Sequence, residues 1–212
     1  MHCPLCQHTN CSDFLQDKRR RYLHCHHCDL VFVEPQYRPS PLIEKQEYDL
    51  HQNSCEDTGY LAFLNRARAP LIEAVPSPAA GLDYGSGPNP VLAQWLSEDG
   101  YDVQCFDAFY ASKPICVPET GFDFIISTEA IEHFHAPHVE WRLWMDWLAA
   151  DGVLVIMTKR WLDLERFSRW HYKNDLTHVS FFHERTFEYL AARYGFSLKV
   201  ISNDVVMMQR TR

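Results

Sequence analysis

No apolar run in this sequence approaches the roughly 20 residues that a bilayer-spanning helix requires, so no membrane anchor is read in it. The first residues, Met1-His2-Cys3-Pro4, lack the charged and apolar regions of a signal peptide. A cytoplasmic protein is the expectation. Positive charge is also scarce: 20 Lys and Arg stand against 28 Asp and Glu, a formal net charge of −8. Neutralising phosphates needs a basic surface, so broad nucleic-acid binding is disfavoured, while a local basic patch stays open. Neither an internal repeat nor a low-complexity tract is present. What is present is an ordinary globular composition, 46% hydrophobic and 23% charged over 212 residues. That length suits one substantial core with a small appendage.

Cysteine supplies the first sharp pattern. Four of the eight cysteines form Cys3-x-x-Cys6 and Cys25-x-x-Cys28, separated by the 18 residues from Gln7 to His24. Two such knuckles closing one tetrahedral site make a structural zinc pattern, and in a cytosolic chain paired CxxC motifs favour metal over disulfides. Residues 1–34 are therefore read as a four-cysteine zinc ribbon with short strands near 13–15, 21–23 and 30–33. Such a unit has little core of its own, so metal binding would supply its folding energy. Lys18-Arg19-Arg20-Arg21 falls at the ribbon tip and reads as a solvated turn. His24, His26 and His27 read as surface residues. Cys11, Cys55, Cys105 and Cys116 read as small buried side chains.

Residues 35–79 read as a linker, with prolines 35, 39 and 41, followed by a helix from about Tyr60 to Val75. Residues 80–212 alternate strand and helix patterns. Strands are expected at 81–84, 102–106, 122–127 and 152–157, and a closing antiparallel pair at 196–201 and 205–209. Helices are expected at 91–97, 129–149 and 186–193, with Trp141, Trp144 and Trp147 as core residues. The fold class is α/β: a Rossmann-like, mostly parallel sheet with helices on both faces and an antiparallel C-terminal strand. The short interval from Asp107 to Phe122 leaves at most Ile115-Cys116-Val117 for a third parallel strand.

Leu82-Asp83-Tyr84-Gly85-Ser86-Gly87 runs from a strand into a glycine turn that opens a helix, where doubly wound folds bind ligands. Asp107 lies 20 residues past Gly87, at the end of the next strand, where a carboxylate can accept hydrogen bonds from a ribose diol. This pairing points to a nucleoside-containing cofactor. A dinucleotide fingerprint would need a third glycine and backbone donors for pyrophosphate, yet Pro88, Asn89 and Pro90 follow Gly87.

These residues resemble class I S-adenosylmethionine-dependent methyltransferases. Asp83 to Gly87 is similar to their first motif. Phe122 to His133, ending Glu129-Ala130-Ile131-Glu132-His133, is similar to their fourth-strand segment, and Gly152 to Thr158 to their fifth strand. The whole chain resembles bacterial members that carry an N-terminal zinc-binding segment. In that group Tyr48-Asp49-Leu50-His51 and Thr177 to Phe182 are also recognisable stretches.

The resemblance implies that Gly85, Ser86 and Gly87 bound the methionine part of the cofactor with Asp83 behind them. It implies that Asp107 holds the ribose, and that Thr128 and Glu129 line the pocket near the reactive methyl. His133, four residues after Glu129 on one helical face, and His178, in a loop after the fifth strand, are the candidate general bases. His171, Tyr172 and Asp175 lie in a loop able to cover the acceptor. Tyr48 and His51 read as part of a wrapping linker. His133, His135 and His138 lack a completing carboxylate pattern and are not read as a metal site. The leading expectation is methyl transfer to a small-molecule acceptor. Two alternatives stand beside it: an RNA methyltransferase gripping its substrate through the ribbon and Lys18 to Arg21, and a non-catalytic binding scaffold. The charges within 1–34 cancel, with basic residues 18–21 against acidic residues 13, 17, 29 and 34.

Overall fold

The computed structural model describes residues 1–50, 56–110 and 113–211. Its first unit is built on β1 (Cys11–Gln16), β2 (Arg21–Cys25) and β3 (Val31–Val33), paired antiparallel in that order. Leu30, Val31, Phe32 and Val33 are all fully buried, more than three short strands can cover unaided. The covering comes from the far end of the chain. Strand β8 (Ser180–Phe181) pairs antiparallel with β3, placing Val31 opposite Phe181 and Phe32 opposite Ser180. Leu5, Leu23, Leu30 and Phe32 then share one core with Leu82, Tyr84, Trp141 and Phe182. The ribbon fold is as expected, but its sheet continues past residue 34 into the larger unit.

The segment read as a linker contains a helix, α1 (Pro41–Tyr48), with Pro41 in its first turn, where a missing N–H costs nothing. Its one buried residue, Glu44, accepts from His135 Nε2 at 2.6 Å. Helix α2 (Thr58–Ala74) is capped by Asp57, which accepts from the N–H groups of Gly59 and Tyr60. Pro70 lies inside α2 without ending it.

The larger sheet comprises β4 (Ala80–Tyr84), β5 (Asp102–Phe106), β6 (Phe122–Thr128), β7 (Leu148–Met157), β9 (Phe196–Val200) and β10 (Val205–Arg210). Their order is β5-β4-β6-β7-β10-β9; the first four are parallel, and β10 is antiparallel to both neighbours. Alternate residues feed two cores. Phe124, Ile126, Val153 and Val155 pack with Leu64, Leu71 and Leu96 of α2 and α3 (Val91–Glu98). Ile125, Leu154 and Ile156 pack instead with Trp141 and Trp144 of α4 (Pro137–Trp147) and Phe187 of the helix Glu184–Tyr194. Burial on both faces is what a parallel α/β sheet demands.

Two expected elements differ. No strand forms at 115–117. Pro114 and Pro118 flank that stretch and cannot donate to a ladder. Instead the Gln104 side chain on β5 pins it, donating to Cys116 O at 2.6 Å and accepting from Cys116 N–H at 2.8 Å. The expected helix 129–149 is also broken. Glu129 adopts a left-handed φ of 47°, a 3-10 turn spans Ile131–His133, and α4 starts only at Pro137. Among the scattered cysteines, Cys11 and Cys105 are half-buried and Cys116 is exposed, against the expectation of burial. Cys55 lies outside the described residues.

Candidate active site

The turn after β4 forms one wall of the site. Gly85 (φ 84°) and Gly87 (φ 66°) sit in the left-handed region, where a Cβ is strained. A Cβ on Gly85 would meet Ala130 Cβ at 2.4 Å, whereas one on Gly87 would find nothing within 4 Å. The backbone at Gly87 therefore faces open space. Asp107, just past β5, locks the turn: its Oδ2 accepts from Gly87 N–H at 3.0 Å, and its Oδ1 from Phe109 N–H at 2.9 Å and Tyr110 N–H at 3.2 Å. Beneath the turn, Asp83 is 3% exposed, and its Oδ1 has no hydrogen-bond partner among the described residues. Burial, and then the neighbouring charge of Asp107, push its carboxyl up to about 7.

A cleft of about 530 Å³ opens beside this turn, lined by Ser86, Gly87, Gln104, Asp107, Ile115 and Cys116. Its outer wall is the pinned segment that replaces the third strand. A second depression, near Ala80, Tyr101 and Asp123, lies at the opposite, amino ends of the strands.

The other wall grows from the end of β6. Thr128 is half-buried, and Glu129 N–H donates to Met157 O at 2.7 Å, tying the turn to β7. The left-handed bend turns Glu132 inward, where it is fully buried. Glu132 Oε1 accepts from the Tyr172 hydroxyl at 2.5 Å and Oε2 from the Thr158 hydroxyl at 2.8 Å. Glu129 Oε2 lies 3.3 Å from the same Tyr172 hydroxyl, while its buried Oε1 has no hydrogen-bond partner among the described residues. Burial and then repulsion from Glu132 push the Glu129 carboxyl up to about 8.

His133 and His178 meet here with ring centroids 4.7 Å apart. The two candidate bases lie side by side, but not through a common helical face with Glu129. His133 leaves the 3-10 turn and His178 arrives from the loop before β8. His133 Nδ1 donates to Thr177 O at 3.1 Å and His178 Nδ1 to Tyr172 O at 2.8 Å. Carbonyls only accept, so each neutral ring carries its proton on Nδ1 and presents Nε2 as an acceptor. Burial holds His178 below the usual histidine range. Tyr48 packs edge-on against His133 at 5.1 Å and against Phe109 at 5.4 Å, closing the gap between the two walls. His51 lies outside the described residues. His135 pairs with Glu44 and His138 bonds Pro4 O at 2.8 Å, so neither reaches this site.

The ribbon also reaches the site. Arg20, expected in a solvated turn, is 3% exposed. Its guanidinium donates to the backbone oxygens of Lys173, Asp175, Leu176 and His178 and to the Tyr22 hydroxyl. A planar fork of five donors suits such a ring of carbonyls. Val33 N–H bonds Val179 O and Val179 N–H bonds the backbone carbonyl of Glu132, extending the same link to the turn that carries Glu132. Arg21 pairs with Asp13 and Glu34, leaving Lys18 and Arg19 as the exposed basic residues of the tip. Sequence reasoning missed Arg20 and Glu132 as site-building residues, and it placed Tyr172 in a loop over the acceptor without its bond to Glu132. Only Glu132 carried a local signal, its place in Glu129-x-x-Glu132-His133.

The four knuckle cysteines converge as expected. Cys3 Sγ lies 3.6 Å from Cys28 Sγ, and Cys6 Sγ 3.5 Å from Cys25 Sγ. A tetrahedron with Zn–S near 2.3 Å puts sulfurs about 3.8 Å apart, so the donor set fits that ion. The two knuckles are also alike: Gln7 (φ 64°) and Asp29 (φ 55°) follow the second cysteines in left-handed geometry. Each returns its N–H to the carbonyl of the first cysteine.

Comparison with known proteins agrees with this geometry. A family model described as a methyltransferase domain matches residues 50–200. No curated protein matches the sequence. Among solved structures, the Burkholderia thailandensis 1,6-didemethyltoxoflavin-N1-methyltransferase, bound to 1,6-didemethyltoxoflavin and S-adenosylhomocysteine, is similar with a TM-score of 0.57 at 15% identity, over 95% of this chain and 100% of that one. The magnesium protoporphyrin IX methyltransferase from Synechocystis, with bound S-adenosylhomocysteine, gives 0.51 at 12% identity, over 81% and 95%. A complex between the Haloferax volcanii Trm112 methyltransferase activator and a methyltransferase gives 0.50 at 12% identity, over 68% and 74%. The chain belongs to the methyltransferase domain family.

Proposed function

We propose, from membership of that family, that this protein uses S-adenosylmethionine to methylate a small-molecule acceptor. The observation that carries the reading is Asp83, a buried carboxylate without a hydrogen-bond partner for Oδ1, set under a left-handed glycine turn that faces an open cleft. A ligand with positive charge and a ribose diol answers both that carboxylate and Asp107. Gly85, Ser86 and Gly87 would bound its methionine end, and Ile115 and Cys116 its adenine side. When bound, S-adenosylmethionine supplies an electrophilic methyl group on a sulfonium. Two of the similar structures were solved with the demethylated product of that cofactor.

Thr128 and Glu129 would border the methyl group. Holding the acceptor's lone pair in line with the methyl carbon supplies much of the rate. Where the acceptor must also lose a proton, Nε2 of His133 or His178 is placed to take it. The RNA alternative is weakened because Arg20 and Arg21 are committed to bonds within the protein. The thiols of Cys3, Cys6, Cys25 and Cys28 would hold a structural zinc, which suits a reducing, cytoplasmic setting.

Proton release tests the cofactor reading. Burial pushes the Asp83 and Glu129 carboxyls up to about 7 and about 8 in the fold, against about 4 when unfolded. The native state therefore binds more protons between those limits, and stability falls as pH rises from about 4 to about 8. A bound cation favours the carboxylates. Calorimetry at pH 7 in buffers of different ionisation enthalpy should show a fraction of a proton released with S-adenosylmethionine. Asp83→Asn should reduce that release. Buffer-independent heats for the unaltered protein would remove Asp83 from the proposed role.

A further inference from the structure

Glu132, His133 and His178 answer to more than proton transfer. One ligand atom from each lies within 4.8 Å of the other two, and His133 Nε2 is 4.0 Å from Glu132 Oε1. Both rings give their Nδ1 protons to backbone carbonyls, of Thr177 and Tyr172. That is the arrangement by which metal-ligating histidines are oriented and have their Nε2 lone pairs aimed. Glu132 is held in the same way, its Oε2 fixed by the Thr158 hydroxyl and its Oε1 steered by Tyr172.

We infer that Glu132, His133 and His178 form a seat for one divalent transition-metal ion, separate from the four-cysteine site. Two imidazole nitrogens and one carboxylate oxygen suit first-row ions such as Zn²⁺, Mn²⁺ or Fe²⁺ better than Mg²⁺ or Ca²⁺, which prefer all-oxygen shells. Three protein ligands leave coordination positions open. Glu129 Oε2 lies 3.3 Å from the same Tyr172 hydroxyl that bonds Glu132. The role of the ion rests on the methyltransferase reading above: the acceptor's oxygen or nitrogen would complete the shell and be held toward the methyl group. With the ion bound, both Nε2 atoms would be occupied as ligands; without it, either remains the base proposed above. Binding of the ion is independent of that reading.

The test uses the full chain with its ribbon zinc in place, titrated with Mn²⁺ and followed by electron paramagnetic resonance. The expected result is one Mn²⁺ per chain, with nitrogen couplings from two imidazoles in the pulsed spectrum. His178→Ala and Glu132→Gln should each weaken binding at least tenfold while zinc stays at one per chain. The unaltered protein alone decides the matter if a variant fails to fold. Absence of Mn²⁺ uptake, or uptake without imidazole couplings, would overturn the seat. S-Adenosylhomocysteine binding is measured on the same preparation. Cofactor binding without Mn²⁺ sinks the metal seat alone; Mn²⁺ with imidazole couplings but no cofactor binding supports the seat and sinks the methyltransferase reading.

Discussion

Cys25→Ser is expected to unfold the whole chain rather than merely loosen its first 34 residues. Cys25 is fully buried, and Leu30 and Phe32 beside it belong to the core that includes Leu82, Tyr84 and Trp141. Strand β3 is paired on its far side with β8, so the small sheet cannot detach without exposing a strand of the larger unit. Structural zinc sites contribute apparent binding energies of about 10–16 kcal/mol. A domain of this size is stable by only about 5–15 kcal/mol. Losing a ligand therefore removes an amount comparable to the entire margin. Circular dichroism and zinc analysis should show an insoluble or unfolded variant and about one zinc per chain in the unaltered protein. A metal-free chain that melts at the same temperature would remove zinc from the structure.

Arg20→Ala should cost several kcal/mol, because each buried carbonyl left without its donor costs about 1–3 kcal/mol. The carbonyls of Lys173, Asp175, Leu176 and His178 would lose their shared donor inside the protein. Arg20→Lys should rescue little, because one ammonium cannot reproduce a planar fork. Since that loop carries His178, turnover should fall at least tenfold while S-adenosylhomocysteine affinity changes little. Urea melts and the division of the effect between kcat and cofactor affinity check this. An unchanged midpoint would return Arg20 to a solvated turn.

The parts legible in the sequence were those with local signatures. Alternating buried strands, the Gly85-Ser86-Gly87 turn, Asp107 at its fixed interval and the two CxxC knuckles all rest on neighbours within about 20 residues. The rest depends on distant contacts. Arg20 finds its backbone partners more than 150 residues away. Residues 180–181 complete the ribbon sheet although nothing near them resembles it. The expected helix from Glu129 failed for a local reason the pattern concealed: apolar spacing continued through Ile131, while a left-handed Glu129 and Pro137 divided the backbone. That division is what turns Glu132 and His133 into the site. Likewise, the Ile115 segment had strand composition but prolines on both sides, and a single Gln104 side chain took the place of a ladder.

The proposed cofactor cleft lies between Gly87 and Asp107. Calorimetric titration of S-adenosylhomocysteine into the zinc-containing protein and into Asp107→Ala addresses it most directly. One molecule should bind per chain, and the substitution should weaken it at least tenfold, about 1.4 kcal/mol or more. A folded, zinc-containing wild-type protein that gives no heat of binding, or an Asp107→Ala variant of unchanged affinity, would contradict the account.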